Sequence, residues 1–254
     1  MEPGFRIEFS FARMFRGYHF RIKKLHFKEN KMSYTINSLP AGHAAGVMPT
    51  EQEWASANVL KIDNFQAKSS DSRPETLCRV LYDANGLYLR YSLKDRWVKC
   101  VAQKYQDCVC KDSCVEFFVE PTGGKGYLNF EFNACGVMLL YHVVDHTRTD
   151  HGFAKFHPVD AFADEAVKRY PTLKPEDVKE EITDPCNWEL AMYIPFSLFE
   201  KEFGADGIPA KGTTWRANFY TCADATSHPR WATWNPIKIF NFHQPECFGD
   251  IIFG

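Results

Sequence analysis

Carboxylates and amides alternate with large apolar side chains in two neighbouring runs, C-V-E-F-F-V-E (114–120) and Y-L-N-F-E-F-N (127–133). Side chains alternate between the two faces of a β-strand, so an extended chain places Glu116, Asn129 and Glu131 opposite the apolar set. A solvated sheet face is one explanation of such residues. However, they are short acceptors and amides rather than the Lys and Thr that are usual on a wet face. The pattern therefore also fits a hydrogen-bonding floor for a polyhydroxylated ligand.

The two glutamates raise a catalytic alternative. Glycoside hydrolysis uses two carboxyl groups roughly 5–9.5 Å apart. Neighbouring strands lie about 4.8 Å apart, so Glu116 and Glu131 satisfy that distance if their strands pair. Carboxylates on adjacent strands are more often a binding or solvated pair, so binding is the preferred reading. A glycoside hydrolase that uses Glu116 and Glu131 is kept as one alternative, and no catalytic residue is assigned. A structural or partner-binding β-sandwich whose ligand site has decayed is the other alternative.

A third run, 213–222, also alternates polar with apolar residues. Asn218 and Tyr220 alternate with Ala217 and Phe219. If the apolar sets of the three strands share one core, their polar sets share the other side of the sheet. Aromatic rings near that side would pack on the C–H faces of a sugar. We therefore predict a ligand site that consists of a floor (Glu116, Asn129, Glu131, Asn218 and Tyr220) and an aromatic rim (Tyr105, Trp231 and Phe242).

The rest of the chain reads as an all-β protein. The runs 77–82 and 87–93 flank D-A-N-G, which predicts a hairpin. Helices are predicted at 160–169 and 195–203, and a short helical turn at 51–57. The longest region without a strand pattern is 145–179. About ten short strands with turn signals predict an antiparallel β-sandwich, jelly-roll or immunoglobulin-like, with a few short helices.

Composition and charge exclude some functions and suggest a boundary. The 254 residues are 45% hydrophobic with a net charge of −2, which gives no indication of a nucleic-acid partner. No segment approaches the ~18 apolar residues of a membrane span. Residues 1–31 hold eight basic and three acidic residues, a net charge of +5, which leaves −7 for the remainder. We predict a poorly ordered basic extension over 1–31 and a single domain over 32–254.

Cysteine and histidine spacing gives no metal signature. The nine cysteines are an odd number and form no C-x-x-C pair, and several lie in apolar strand runs. We expect free thiols, a reducing compartment and hence a cytoplasmic location. Four histidines could be metal ligands, but their spacing fits no zinc motif. They are interpreted as mainly solvated loop residues: His142, His146, His151 and His157.

With these motifs placed, the sequence resembles the family 9 carbohydrate-binding modules from about Trp54 to Phe253. The resemblance rests on several blocks in a fixed order: R-V-L-Y-D-A-N-G-L-Y-L-R-Y-S-L-K-D (79–95), D-S-C-V-E-F-F-V-E-P (112–121), Y-L-N-F-E-F-N-A-C-G (127–136), W-E-L-A-M-Y-I-P (188–195), W-A-T-W-N-P (231–236) and F-H-Q-P-E-C-F-G (242–249). It implies a sugar-binding β-sandwich without catalytic activity, often a companion of glycoside hydrolases. Some members also hold structural calcium.

The resemblance further implies roles for particular residues. Characterised members clamp a sugar ring between two tryptophans. Here the first clamp position falls at Val109 and Cys110, with Tyr105 as the nearest aromatic residue, and the second falls near Phe242. The polar floor maps onto Glu116, Asn129, Glu131, Asn218 and Tyr220. The expected ligand is a mono- or oligosaccharide in bacterial polysaccharide catabolism, the expected partner is a glycoside hydrolase, and no cofactor other than calcium is expected.

Overall fold

The computed structural model describes residues 31–254, which form fourteen strands and three α-helices. The strands β1 to β14 span Ser33–Ser38, Val59–Lys61, Asn64–Phe65, Glu75–Tyr82, Gly86–Asp95, Cys114–Glu120, Tyr127–Asn133, Met138–Thr149, Gly152–Pro158, Lys168–Pro171, Cys186–Pro195, Thr214–Cys222, Trp231–Thr233 and Gly249–Phe253. The helices α1, α2 and α3 span Glu51–Trp54, Phe162–Ala166 and Phe196–Phe203. The predicted extension over 1–31 falls, apart from Lys31, outside the described residues.

The strands form two sheets that share β1. The first sheet has the order β10-β11-β5-β4-β1, with β2 beside β4. The second has the order β1-β14-β12-β6-β7-β8-β9, with β13 beside β12 and β3 beside β13. The first half of β1 pairs with β14 and its second half with β4, both in parallel, whereas the other described strand pairs are antiparallel. The predicted β-sandwich is confirmed.

The main core lies between the two sheets. Phe117 of β6 packs on Phe219 of β12, with ring centroids 5.0 Å apart. The facing sheet contributes Leu89, Trp188 and other buried residues to the same apolar cluster. The Tyr91 hydroxyl crosses the core and donates to the main-chain oxygen of Glu116 at 2.7 Å. With the apolar side chains of β6, β7 and β12 used here, their other side chains must point out of the sandwich.

The segment 145–179 differs from its prediction. Strand β8 continues to Thr149 and pairs with β9, and β10 adds an edge to the first sheet. The predicted helix 160–169 is reduced to the five residues of α2. This end of the β8–β9 hairpin is largely exposed, so its sequence lacks the apolar alternation that identifies a strand. The helix predicted at 195–203 is confirmed as α3, with Pro195 as its N-cap.

Two further features concern the cysteines and the helices. All nine cysteines are free in the structure. Within residues 31–254, no helix is both long enough and apolar enough to cross a bilayer.

A buried ion pair joins Asp95, the last residue of β5, to Arg230, the residue before β13. The Arg230 guanidinium and the Asp95 carboxylate are shielded from solvent, and the Trp188 indole N–H donates to the same carboxylate at 3.0 Å. Replacing one partner of such a pair leaves the other charge buried and unpaired. We expect Asp95→Ala to lower the free energy of unfolding by about 3–5 kcal/mol in urea denaturation.

The matched control is Glu75→Ala, which breaks the exposed pair between Glu75 and Lys94 on β4 and β5. Exposed pairs contribute at most about 1 kcal/mol. Equal effects of the two substitutions would contradict the importance assigned to the buried pair.

Candidate functional site

A cavity of about 260 Å³ opens on the outer face of the second sheet. Its floor is formed by side chains of β6, β7 and β12, and part of its wall by the loop that precedes β14. The lining residues are Cys110, Glu116, Glu131, Arg148, Cys222, Asp224, Trp231, Phe240, Asn241, Phe242 and His243. It therefore combines three carboxyl groups, one guanidinium and three aromatic rings besides the imidazole.

The floor is built around two glutamates that lie directly opposite each other on paired strands. Glu116 of β6 and Glu131 of β7 are register partners. Side chains at such positions stand about 4.5–5.5 Å apart at Cβ. The Cys222 thiol donates to Glu116 Oε1 at 3.1 Å, and Asn129 Nδ2 donates to Glu131 Oε1 at 2.8 Å. Each carboxyl group is thus held by one neighbour while it lines the cavity.

Burial and proximity alter the protonation of this pair. Both residues are less than a tenth exposed. Burial, and then the charge of Glu131, raise the pKa of Glu116 well above its ordinary value. Burial raises the pKa of Glu131 to about 7, against the opposing effect of the Asn129 hydrogen bond. The floor therefore favours the protonated form of Glu116, beside a Glu131 whose pKa is close to neutral pH.

Aromatic rings stand around the floor. Trp231 at the start of β13 packs edge-to-face against Phe240, with ring centroids 5.0 Å apart. Its indole N–H donates to Asp224 Oδ1 at 2.6 Å, which fixes the orientation of the ring. Phe242 stacks on the buried ring of Tyr220 at 4.4 Å. These contacts hold two aromatic walls of the cavity in place.

The remaining wall carries the guanidinium of Arg148 and the neutral imidazole of His243. Burial lowers the pKa of His243 to about 3, so its ring is neutral at physiological pH. The Tyr127 hydroxyl lies 2.8 Å from His243 Nδ1. Arg148, near the end of β8, lies over the Phe153 ring at 4.2 Å and supplies the guanidinium of the lining. The cavity can therefore offer donors as well as acceptors to a ligand.

The structure brings together four of the eight predicted site residues. Glu116, Glu131, Trp231 and Phe242 all line the cavity. Asn129 does not line it but positions Glu131, and its own oxygen accepts the Tyr141 amide N–H at 2.8 Å.

The other three predicted residues do not line the cavity. Asn218 faces outward as expected, but it is buried and bonds to the main chain of Asn235. Tyr220 is buried beneath Phe242 and donates to its main-chain oxygen at 3.0 Å. Tyr105 packs against the core between the sheets and donates to the Val159 oxygen, so it is not on the cavity rim. Their roles as ligand contacts stay predictions.

Sequence reasoning missed several lining residues. Cys222 has the parity of Asn218 and Tyr220, so the alternation along β12 contained the signal for it. Arg148 was missed because the outer part of β8 was not identified as a strand. The positions of Asp224 and His243 depend on loops that fold over the sheet, for which the sequence carries no periodic signal.

Two groups of potential metal ligands occur in the described part of the chain. One is Cys114, Glu116 and Cys222, beneath the cavity, and the other is His142, His157 and Glu202. Calcium prefers sets of oxygen ligands, and both groups include sulfur or nitrogen. Neither group therefore fits the calcium that the resemblance implies, and calcium stays a prediction.

The sequence of this chain matches a known protein family. A family model described as carbohydrate-binding family 9 matches residues 47–253. A search of curated protein sequences gives no significant match.

Solved structures show the same architecture. A provisionally assigned carbohydrate-binding protein from Bacteroides uniformis is 27% identical, with a TM-score of 0.72 over 88% of this chain and 100% of that one. A family 9 module from Caldicellulosiruptor kristjanssonii in complex with cellotriose is 12% identical, with a TM-score of 0.58 over 87% of this chain and 93% of that one. A family 9 module from the same organism in complex with glucose is 11% identical. Its TM-score is 0.57 over 88% of this chain and 96% of that one.

The raised pKa of Glu131 predicts a pH-dependent stability. Free glutamate titrates near pH 4.3, whereas Glu131 titrates at about 7. Between these values the unfolded chain releases the proton and the folded chain keeps it, so stability falls as the pH rises. Glu131→Gln removes this effect. Its thermal midpoint should exceed that of the parent by more at about pH 8 than at about pH 4.

The control is Glu200→Gln on the exposed face of α3. That variant removes an exposed carboxyl group outside the cavity, so it reports the effect of a Glu→Gln substitution by itself at each pH. A gain for Glu131→Gln that does not grow with pH would show that the carboxyl group is not destabilised by ionisation.

Proposed function

The chain belongs to carbohydrate-binding family 9, and we propose that it binds a mono- or oligosaccharide in the cavity above β6 and β7 without catalysing a reaction. The observation that carries this proposal is the combination of two buried carboxyl groups with fixed aromatic rings in one concavity. Sugars present hydroxyl groups around an apolar ring face, and each part of the cavity suits one of these features.

The carboxyl pair can bind hydroxyl groups both as hydrogen-bond donors and as hydrogen-bond acceptors. A protonated Glu116 can donate to a sugar oxygen, and an ionised Glu131 can accept from a sugar hydroxyl. Hydrogen bonds to a charged group contribute about 1.5–3 kcal/mol before the costs of binding. Asp224 and Arg148 add to the polar lining. A hydroxyl-rich neutral ligand therefore fits better than an anion, which would meet three carboxyl groups.

The aromatic residues supply the apolar contact. Trp231 is half-buried and lines the cavity, and Phe242 stands at the position that the family resemblance assigns to the second clamp residue. Cys110, at the first clamp position, also lines the cavity. A thiol offers far less area than an indole, so we infer that Trp231, with Phe240 beside it, performs the stacking in this chain.

Catalysis is the second candidate, because raised carboxyl pKa values are typical of general acids. The placement of the pair opposes it. Glycosidases hold their two carboxyl groups on either side of the scissile bond. Glu116 and Glu131 instead stand side by side on one floor, as register partners.

The wider setting is part of the same proposal. We infer a cytoplasmic protein of bacterial polysaccharide catabolism, and the nine free thiols support the reducing compartment. A glycoside hydrolase is the expected partner, since modules that bind without catalysis concentrate substrate for an enzyme.

Calorimetric titration with glucose, cellotriose and a panel of other mono- and oligosaccharides tests the proposal. Two relatives hold the first two sugars, which makes them suitable first probes. Truncation of a stacking residue costs about 1–3 kcal/mol, so Trp231→Ala should weaken binding of the best ligand by roughly five- to 150-fold. Trp97→Ala is the matched control, because Trp97 is also half-buried but stacks on His228 outside the cavity.

Equal affinity of parent and Trp231→Ala would place the sugar elsewhere, and failure of every saccharide to bind would refute the proposed function. Glu116→Ala removes a hydrogen-bonding partner from the floor and should weaken the same ligand. Release of reducing sugar from the bound oligosaccharide by the parent, lost in Glu131→Gln, would instead support the hydrolase.

A further inference from the structure

Three side chains from separate elements converge at the edge of the sandwich. His142 of β8 and His157 of β9 are register partners, and Glu202 lies on α3 above them. His142 Nδ1 is 2.9 Å and His157 Nε2 is 3.0 Å from the same atom, Glu202 Oε2. The sequence analysis considered both histidines as ligands but interpreted them as mainly solvated loop residues, because β9 was not identified as a strand. That interpretation is wrong for His142, which is buried on β8.

Both ring nitrogens of His142 face oxygen atoms, and a neutral imidazole can donate a hydrogen bond to only one of them. Its Nε2 lies 2.8 Å from the main-chain oxygen of Lys125, which can only accept, so Nε2 carries a hydrogen. A neutral imidazole has one N–H, which leaves a lone pair on Nδ1 pointing at a carboxylate oxygen that also only accepts. A cation between these two atoms resolves the conflict.

We propose that His142, His157 and Glu202 bind a transition-metal ion, with zinc as the best match. Imidazole and carboxylate are ordinary zinc ligands, and two histidines with one glutamate form a known three-ligand set. Metal-binding histidines commonly donate their second ring N–H to a main-chain carbonyl, as His142 does to Lys125. Calcium and magnesium prefer all-oxygen sites, so they are excluded as the preferred ions.

The burial of the ligands suits a site with one open position. His142 is buried and the Glu202 side chain is only 9% exposed, whereas the His157 side chain is 54% exposed. The ion would therefore rest on the protein on one side and meet solvent beyond His157. It would also cross-link α3 to the β8–β9 hairpin.

This site is separate from the sugar cavity. None of its residues lines that cavity. On β8, His142 shares its parity with Leu140, which belongs to the core between the sheets, whereas Tyr141 faces the cavity side. Loss of metal binding and loss of sugar binding can therefore be measured independently.

Titration of the full-length, chelator-treated protein with zinc chloride in a calorimeter tests the proposal. We expect one equivalent of zinc to bind, with affinity reduced more than about tenfold in His157→Ala and in Glu202→Gln. The control is His151→Ala, which removes an exposed histidine from the turn of the same hairpin and should leave the affinity unchanged. Because His157 is largely exposed, its variant should fold, which its thermal midpoint without metal will verify.

Nine thiols are alternative ligands for zinc, so a second readout is needed. Cobalt(II) bound to thiolate gives intense sulfur-to-metal charge-transfer absorption, which nitrogen and oxygen ligands do not give. We expect the first equivalent of cobalt(II) chloride to show only weak d–d bands, and these should be absent in His157→Ala. Charge-transfer absorption from the first equivalent, or zinc affinity that is unchanged in both ligand variants, would overturn the site and leave a proton as the cation.

Discussion

Two carboxyl groups that face each other across a pair of hydrogen-bonded strands govern the chemistry of this protein. Glu116 and Glu131 are held there because Phe117 and Phe130 occupy the alternate positions and are fully buried in the core. Neither glutamate can turn away without a shift of register, which would also expose the core side chains. The packing of the core therefore fixes the position of the two glutamates, which form part of the floor of the cavity.

The same constraint determines what the cavity can bind. Burial, and then the neighbouring carboxylate, raise the pKa of Glu116 well above its ordinary value, which favours its protonated form beside Glu131. The pair then offers a donor and several acceptors within a small area. A hydroxyl group, which both donates and accepts, matches this arrangement better than a cation or an anion. The aromatic side chains of Trp231 and Phe242 add the apolar surface that a sugar ring requires.

Strand alternation made the fold and half of the site predictable from sequence. The apolar faces of β6, β7 and β12 identified the core, and the opposite parity gave Glu116 and Glu131. Strand alternation could not predict the positions of residues in loops. Tyr105 lies in an irregular segment and packs against the core, and His243 reaches the cavity from the loop before β14. The pairing of His142 with His157 was hidden for a similar reason, because the exposed part of the β8–β9 hairpin lacks apolar alternation.

The central claim is that sugar binds over the carboxyl pair and beside Trp231. The six tryptophans each carry one indole N–H, which gives a resolved set of probes in a ¹⁵N–¹H correlation spectrum. Titration with the best-bound saccharide should shift the indole resonance of Trp231, which is held by Asp224, and leave those of the buried Trp188 and Trp215 unchanged. A spectrum in which Trp231 stays in place while Trp97 or no tryptophan responds would contradict the account.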